Sequence, residues 1–255
     1  MPLNALGQPV GDALPGWTPP PFPTHTPMSG RFCRLEPLTM DHAPALWDAF
    51  GLDTDGRNWT YLAHDPFTRS EDFEAWVRAS AESRDPQFYT VVVSGTPAGV
   101  AAYLRITPPA GTIEVGHIHF SPRLQHTPAA TEAMYLMMRR AFELGYRRYE
   151  WKCDALNAPS RRAAERLGFS FEGVFRQALV TKGRNRDTAW YACIDKDWPV
   201  IRAGFERWLA PGNFDDAGRQ RLSLSAARSA SIADCPLPNR AIHWAKADWG
   251  IGHSE

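Results

Sequence analysis

The stretch TIEVGHIHFSPRLQHTPAATEAMYLMMRRAFELGYRRYEWKCD, residues 112–154, restricts the possible folds more than any other part of the chain. It reads as a strand over 112–121, a tight loop, a helix over 128–144 and a strand over 146–154. Ala130, Ala133, Met134, Met137, Met138, Ala141 and Phe142 recur at i, i+3, i+4, i+7 spacing, and Gly145 ends the run. A helix that joins two strands of one sheet is a crossover, and a crossover normally sets its strands parallel. The helix then starts at the first strand's carboxyl end, with unpaired N–H groups and the positive end of its dipole facing outward. A pyrophosphate fits such a start without a charged side chain. The amides of Gln125, His126, Thr127, Ala129, Ala130 and Thr131 can donate there. Pro128 cannot, but it suits a first helical turn capped by Thr127.

The flanking segments complete one sheet. QFYTVVVSG (87–95), PAGVAAYLRIT (97–107) and the 112–121 strand are separated by short turn stretches, so they form an antiparallel meander. APSRRAAERL predicts a helix stopped at Gly168, and FSFEGVFRQALVT with RDTAWYACID a closing hairpin across KGRN. Upstream, RFCRLEPLT (31–39) predicts a strand, Asp41 caps a helix through Phe50, and Ser70 caps a helix over 70–83. The expected fold is α/β: a mixed, mostly antiparallel twisted sheet flanked by helices. Residues 1–29 are a proline-rich extended arm, 30–198 the main domain, and 199–255 a terminal helix and a tail that docks on its own domain or on a second subunit, as in a homodimer.

Basic and acidic residues number 28 each, so no global field recruits nucleic acid or an anionic membrane. Cys33, Cys153, Cys193 and Cys235 are widely spaced, without a zinc-ligand pattern, and are expected as reduced, mostly buried thiols with no metal. A start without a basic n-region and apolar core, and the absence of any run of about 18 apolar residues, lead us to expect a cytoplasmic protein.

Three blocks resemble the GCN5-related N-acetyltransferases, and within them the subgroup similar to ribosomal-protein N-terminal alanine and serine acetyltransferases. They are IEVGHIHFSP, RLQHTPAATEA and NAPSRRAAERLGF. The likeness covers about residues 30–198. It departs at the cofactor loop, where the family pattern Q/R-x-x-G-x-G/A begins with Arg123 but has His126 and Pro128 in place of glycine. The resemblance implies direct transfer of an acyl group from acetyl-CoA or another acyl-CoA, such as succinyl-CoA, to a primary amine of a protein or small molecule. It places the thioester where strands 112–121 and 146–154 splay. Phe120, Pro122, Arg123, Gln125, His126, Thr127, Ala129, Ala130 and Thr131 would line the cofactor site.

The same resemblance makes Glu114 the base, Ser160 the proton donor to the CoA sulfur, and Asn157 the group that orients the pantetheine arm. Read as plain residues, Glu114 is a strand carboxylate paired with a neighbour such as Arg105, and Asn157 and Ser160 are a helix cap and first turn. Arg161 and Arg162 meet a CoA phosphate or form a solvated pair. His117 and His119 share a side of their strand and line the substrate pocket or sit as satisfied strand histidines. His126 is a candidate donor to a phosphate. Two other classes remain open at this level: a non-catalytic acyl-CoA-binding module, and an interaction protein of the same fold.

Overall fold

The computed structural model describes residues 1–233, so Cys235 and the tail beyond 233 lie outside the described residues. Its elements are β1 (Met28–Ser29), β2 (Arg34–Pro37), α1 (Ala43–Phe50), α2 (Ser70–Glu82), β3 (Gln87–Val93), β4 (Thr96–Thr107), β5 (Thr112–Phe120), α3 (Pro128–Glu143), β6 (Arg148–Asp154), α4 (Ala158–Leu167), β7 (Ser170–Thr181), β8 (Arg184–Ile194), α5 (Trp198–Leu209) and α6 (Leu224–Ala233). One sheet runs β1-β2-β3-β4-β5-β6-β8-β7. Every neighbouring pair is antiparallel except β5 and β6, the two strands joined by α3. The expected α/β architecture is therefore the observed one.

Strand alternation sends side chains to two different cores. Leu35, Tyr89, Tyr103, Ile113, Val115, Tyr149 and Trp151 face α3 and α5, and form the larger core with the apolar stripe of α3. Phe88, Val100 and Ala102 face the other way and pack with Leu46, Phe50, Trp59, Phe73 and Val77 of the α1–α2 region. Among the described residues no helix is long and apolar enough to cross a membrane.

Several local expectations shift. The cap before α1 is a reciprocal pair, with Thr39 N–H donating to His42 Nδ1 at 3.2 Å, and Asp41 lies inside the turn that follows Thr39. Ser70 is the first residue of α2, not its cap, and Arg69 stands at that position. The hairpin turns at Lys182-Gly183, both left-handed. α6, which sequence periodicity did not mark, packs on α5.

The proline-rich arm is a strap. It crosses the end of the sheet away from the cofactor loop, and its carbonyls satisfy inward polar groups. Gln87 Nε2 donates to Pro23 O at 3.0 Å and Tyr146 Oη to Pro21 O at 3.2 Å. Arg140 donates to Thr26 Oγ1 and Pro27 O, and His25 Nε2 lies 2.7 Å from Phe88 O.

Candidate active site

The β5–β6 ladder begins at Thr112↔Arg148 and ends at Val115↔Trp151. Beyond it β5 stays with β4 as far as Phe120, and β6 stays with β8 as far as Asp154. Residues 116–120 and 152–154 therefore diverge, opening a wedge at the carboxyl ends of the parallel pair. A bulge accompanies the divergence. Gly116 pairs with Ala102 and His119 with Val100, so His117, at φ +48°, and Ile118 share one opposing residue.

The loop at the wedge's mouth folds on itself. The amides of Leu124 and Gln125 donate to Ser121 O at 2.9 and 3.0 Å, and that of Thr127 donates to Leu124 O at 3.3 Å. Thr127 Oγ1 caps α3 by accepting from Ala130 N–H at 3.2 Å, and Pro128 is the first helical residue, as expected. Of the amides expected to face a phosphate, those of Gln125, Thr127 and Ala130 are thus engaged within the chain. Among the described residues, those of His126 and Ala129 have no such partner. His126 sits at φ +61°, the left-handed conformation that glycine adopts without cost. The loop keeps a glycine-like backbone with an imidazole attached.

Around it, Pro122 and Arg123 are exposed, Phe120 is half-buried against the core, and Gln125 Nε2 donates to Phe120 O at 2.8 Å. Buried Thr131 accepts from Arg166 Nη2 at 2.9 Å, tying α3 to α4. Across the wedge, Asn157 Oδ1 caps α4 by accepting from Ser160 N–H at 3.1 Å. Ser160 Oγ accepts from Trp151 Nε1 at 3.0 Å, which fixes the hydroxyl beside the wedge. Arg161 is held by its own chain, Nε to Tyr191 Oη at 3.0 Å and Nη1 to Ala155 O at 3.3 Å. These two bonds fix the guanidinium beside the start of α4.

Glu114 lies on the α1–α2 face, 2% exposed. Arg105 grips it with Nε and Nη2 at 2.7 and 2.6 Å, and Lys152 Nζ reaches it at 2.9 Å. The Arg105 pairing was one of the two alternatives read from sequence. Lys152 also pairs with Glu150 at 2.8 Å and stands 3.8 Å from the Trp190 ring centre. His119 is buried, stacked on Phe50 at 3.9 Å and edge-on to Trp59 at 4.2 Å. Burial, with the nearby His64 adding to it, pulls its pKa down to about 3, so the ring is neutral. His117 leans towards Phe88 at 5.2 Å. Part of its ring is open to water, yet lost solvation and then Arg105 lower its pKa. Both histidines thus serve the α1–α2 face. Among the described residues no cluster of ligating side chains suits a metal.

Lys152, Trp190 and the 57–67 loop reach the site without any mark in the sequence that announces it. Alternation on β6 placed Lys152 opposite Trp151, but nothing local told which face meets Glu114. A depression of about 550 Å³ lined by Arg176, Gln177, Asn185 and Asp187 lies at the hairpin bulge and contains none of these groups.

The family model for the GNAT acetyltransferase domain matches residues 33–170. A GCN5-related N-acetyltransferase from Brucella melitensis is 46% identical over 85% of this chain and 100% of its own, with a TM-score of 0.83. A probable GNAT-family acetyltransferase from Chromobacterium violaceum is 38% identical over 75% and 98%, with a TM-score of 0.71. The Microcin C7 self-immunity acetyltransferase MccE, solved with acetyl-CoA and AMP, shares the fold at 20% identity over 65% and 93%, with a TM-score of 0.58. No curated protein sequence matches. The domain match and the 46% identical relative agree: the chain belongs to the GNAT family of acetyltransferases and is an acyltransferase.

Proposed function

We propose that the protein transfers an acyl group from acyl-CoA, acetyl-CoA in the first instance, to a primary amine. The wedge carries this reading: two parallel strands part beside a helix start whose His126 and Ala129 amides have no hydrogen-bond partner among the described residues. That backbone fits a pyrophosphate, and the wedge fits an extended pantetheine arm. MccE, of the same fold, was solved with acetyl-CoA, which supports the same co-substrate here. Arg123 lies exposed beside the loop and would add charge near the phosphates. Asn157, with its oxygen committed to the cap, retains its amide nitrogen for the arm.

In the transfer, the amine nitrogen bonds to the acyl carbon and the carbon–sulfur bond breaks. The proton lost by nitrogen passes to Glu114 through water, while Ser160, held by Trp151, protonates the leaving sulfur and regains a proton from solvent, to which Glu114 releases its own. Arg105 Nε and Lys152 Nζ both meet Glu114 Oε2, whereas Oε1 meets only Arg105 Nη2 and keeps a lone pair through which a bridging water can bond. The experiment is free-thiol release from acetyl-CoA with a panel of amines, for the wild type, Glu114→Gln and Ser160→Ala. Each variant should lose about 100-fold in kcat with cofactor affinity kept. Unchanged turnover in Glu114→Gln would reassign that residue to the ion-pair network alone.

A further inference from the structure

The α1–α2 face of β8 carries a row of buried polar groups whose partners the fold does not supply. Arg186 Nε, Thr188 Oγ1 and Trp190 Nε1 are all shielded from solvent, and none has a hydrogen-bond partner among the described residues. Alternation puts all three on one face, about 6.7 Å apart along the strand. The face is the one that meets the proposed reaction centre, because Lys152, the partner of Glu114, lies against the Trp190 ring. Across the wedge, His119 Nε2 is a fourth buried orphan on the same face. Thr188 is 4% and His119 5% exposed, so water reaches neither freely. Buried polar atoms in native proteins are nearly always paired, so four exceptions on one face call for partners from outside the chain, water or a bound molecule.

The row is also roofed. Lys182, at the hairpin tip, donates to Trp59 O at 2.7 Å and pairs with Asp65 at 2.9 Å. Tyr61 Oη donates to Leu156 O at 3.2 Å, just past the end of β6. Ala155 N–H donates to Asp187 O at 2.8 Å, so both anchors flank Arg186 and Thr188. The 57–65 segment therefore spans this stretch of β8, with Trp59 turned in against His119.

We propose that this roofed row is the acceptor site and that it takes a compact primary amine bearing a carboxylate, such as an amino acid. The inference rests on the acyltransferase reading above. Arg186 supplies the fixed charge and planar donors that recognise a carboxylate, and Thr188 and Trp190 add neutral donors along the path to the wedge. The amine end then lies toward His119 and the thioester. A latched roof admits a slender molecule more readily than a folded protein surface.

The test is acetyl-CoA-dependent thiol release with free amino acids, their amides, the corresponding alkylamines, and short peptides with an acidic second residue. The wild type should prefer carboxylate-bearing amines over the amides by about 10- to 100-fold in kcat/KM, the scale of a charged hydrogen-bonded contact. Arg186→Met should erase that preference, chiefly by raising KM for the acids, with acetyl-CoA affinity kept as evidence of an intact fold. Arg186→Lys should recover part of it. Amides turned over as well as acids, or a preference that survives Arg186→Met, overturns the proposal. Turnover of the acidic peptides alone, with no free amino acid accepted, also overturns it, because the acceptor is then a polypeptide and not a compact amine. Thiol release limited to amines without a carboxylate also overturns it while leaving the acyltransferase reading intact. Failure of acetyl-CoA to bind the wild type removes both.

Discussion

Replacing Glu132 should destabilise the protein more than most single changes near the cofactor loop, without disabling cofactor binding in the molecules that remain folded. Glu132 is 3% exposed, near the start of α3, in the TEA run that follows the loop. Its carboxylate accepts from three consecutive amides of the turn before β2. Oε1 takes Arg31 N–H at 2.7 Å, and Oε2 takes Phe32 and Cys33 N–H at 2.6 and 2.9 Å. Gly30 leaves room for this arrangement, since a Cβ there would stand 2.3 Å from Glu132 Cδ. The same negative charge, after burial itself, keeps the Cys33 thiol protonated by raising its pKa.

Removing the carboxylate leaves the Phe32 and Cys33 amides without partners at about 1–3 kcal/mol each, while the Arg31 amide, beside an exposed residue, recovers water. Glu132→Ala should therefore cost about 3–5 kcal/mol, or roughly 6–20 °C in Tm for a chain of this size. Glu132→Gln keeps one acceptor oxygen but turns an NH2 toward the third amide, and should cost about 1.5–3 kcal/mol. Urea titration followed by tryptophan fluorescence measures both. A loss below about 1 kcal/mol for Glu132→Ala, close to the range of ordinary surface changes, would mean that the turn amides find partners without the carboxylate. A loss of acetyl-CoA affinity in folded Glu132→Gln would show that the residue serves the site and not the turn.

His126→Gly should leave acetyl-CoA affinity within about threefold and remove about 1 kcal/mol of left-handed strain, whereas a tenfold loss by calorimetry would mean that the imidazole itself holds the phosphate. Pro128→Gly should weaken cofactor binding by about 0.4–1 kcal/mol, since the freed backbone must be ordered again, and tighter binding would contradict a preformed loop. Deleting residues 1–27 strips partners from Gln87, Tyr146 and Arg140, and should cost at least about 3 kcal/mol in urea unfolding; unchanged stability would show the strap to be superficial. Because His119 resists protonation until about pH 3 when folded but takes a proton near its ordinary value when unfolded, the unfolded state binds more protons in between. Stability should then fall as pH drops below about 6.5, by up to about 1.4 kcal/mol per unit, and His119→Phe should flatten that limb.

Much of this architecture was legible because its signals are local. The apolar stripe of α3 fixed the crossover, and the crossover fixed the parallel pair and the position of the loop. Thr127 and Pro128 read correctly as cap and first turn because capping chemistry needs three or four adjacent residues. The number of free loop amides did not read correctly, since the turns at Ser121 and Leu124 consume some of them and turn geometry is not written in residue type. What escaped entirely was long-range: Glu132 meets a turn a hundred residues upstream, and Lys152 meets Glu114 across the parallel pair. The arm's prolines announced an extended chain, but its docking depends on side chains from β3 and α3 that carry no mark of it. α6 has a weak apolar face and few cues, so only its packing on α5 reveals it.

Everything proposed for this chain depends on the wedge between β5 and β6, with the left-handed loop at its mouth, binding an acyl-CoA thioester. Isothermal titration of the full chain with acetyl-CoA tests it most directly, paired with thermal unfolding at the same ligand concentrations. The expected result is one site per chain and a stabilisation of about 2.7 kcal/mol at 100 times the dissociation constant, with both signals reduced by Pro128→Gly. Absence of heat and of any shift with acetyl-CoA, succinyl-CoA and free CoA alike would contradict it.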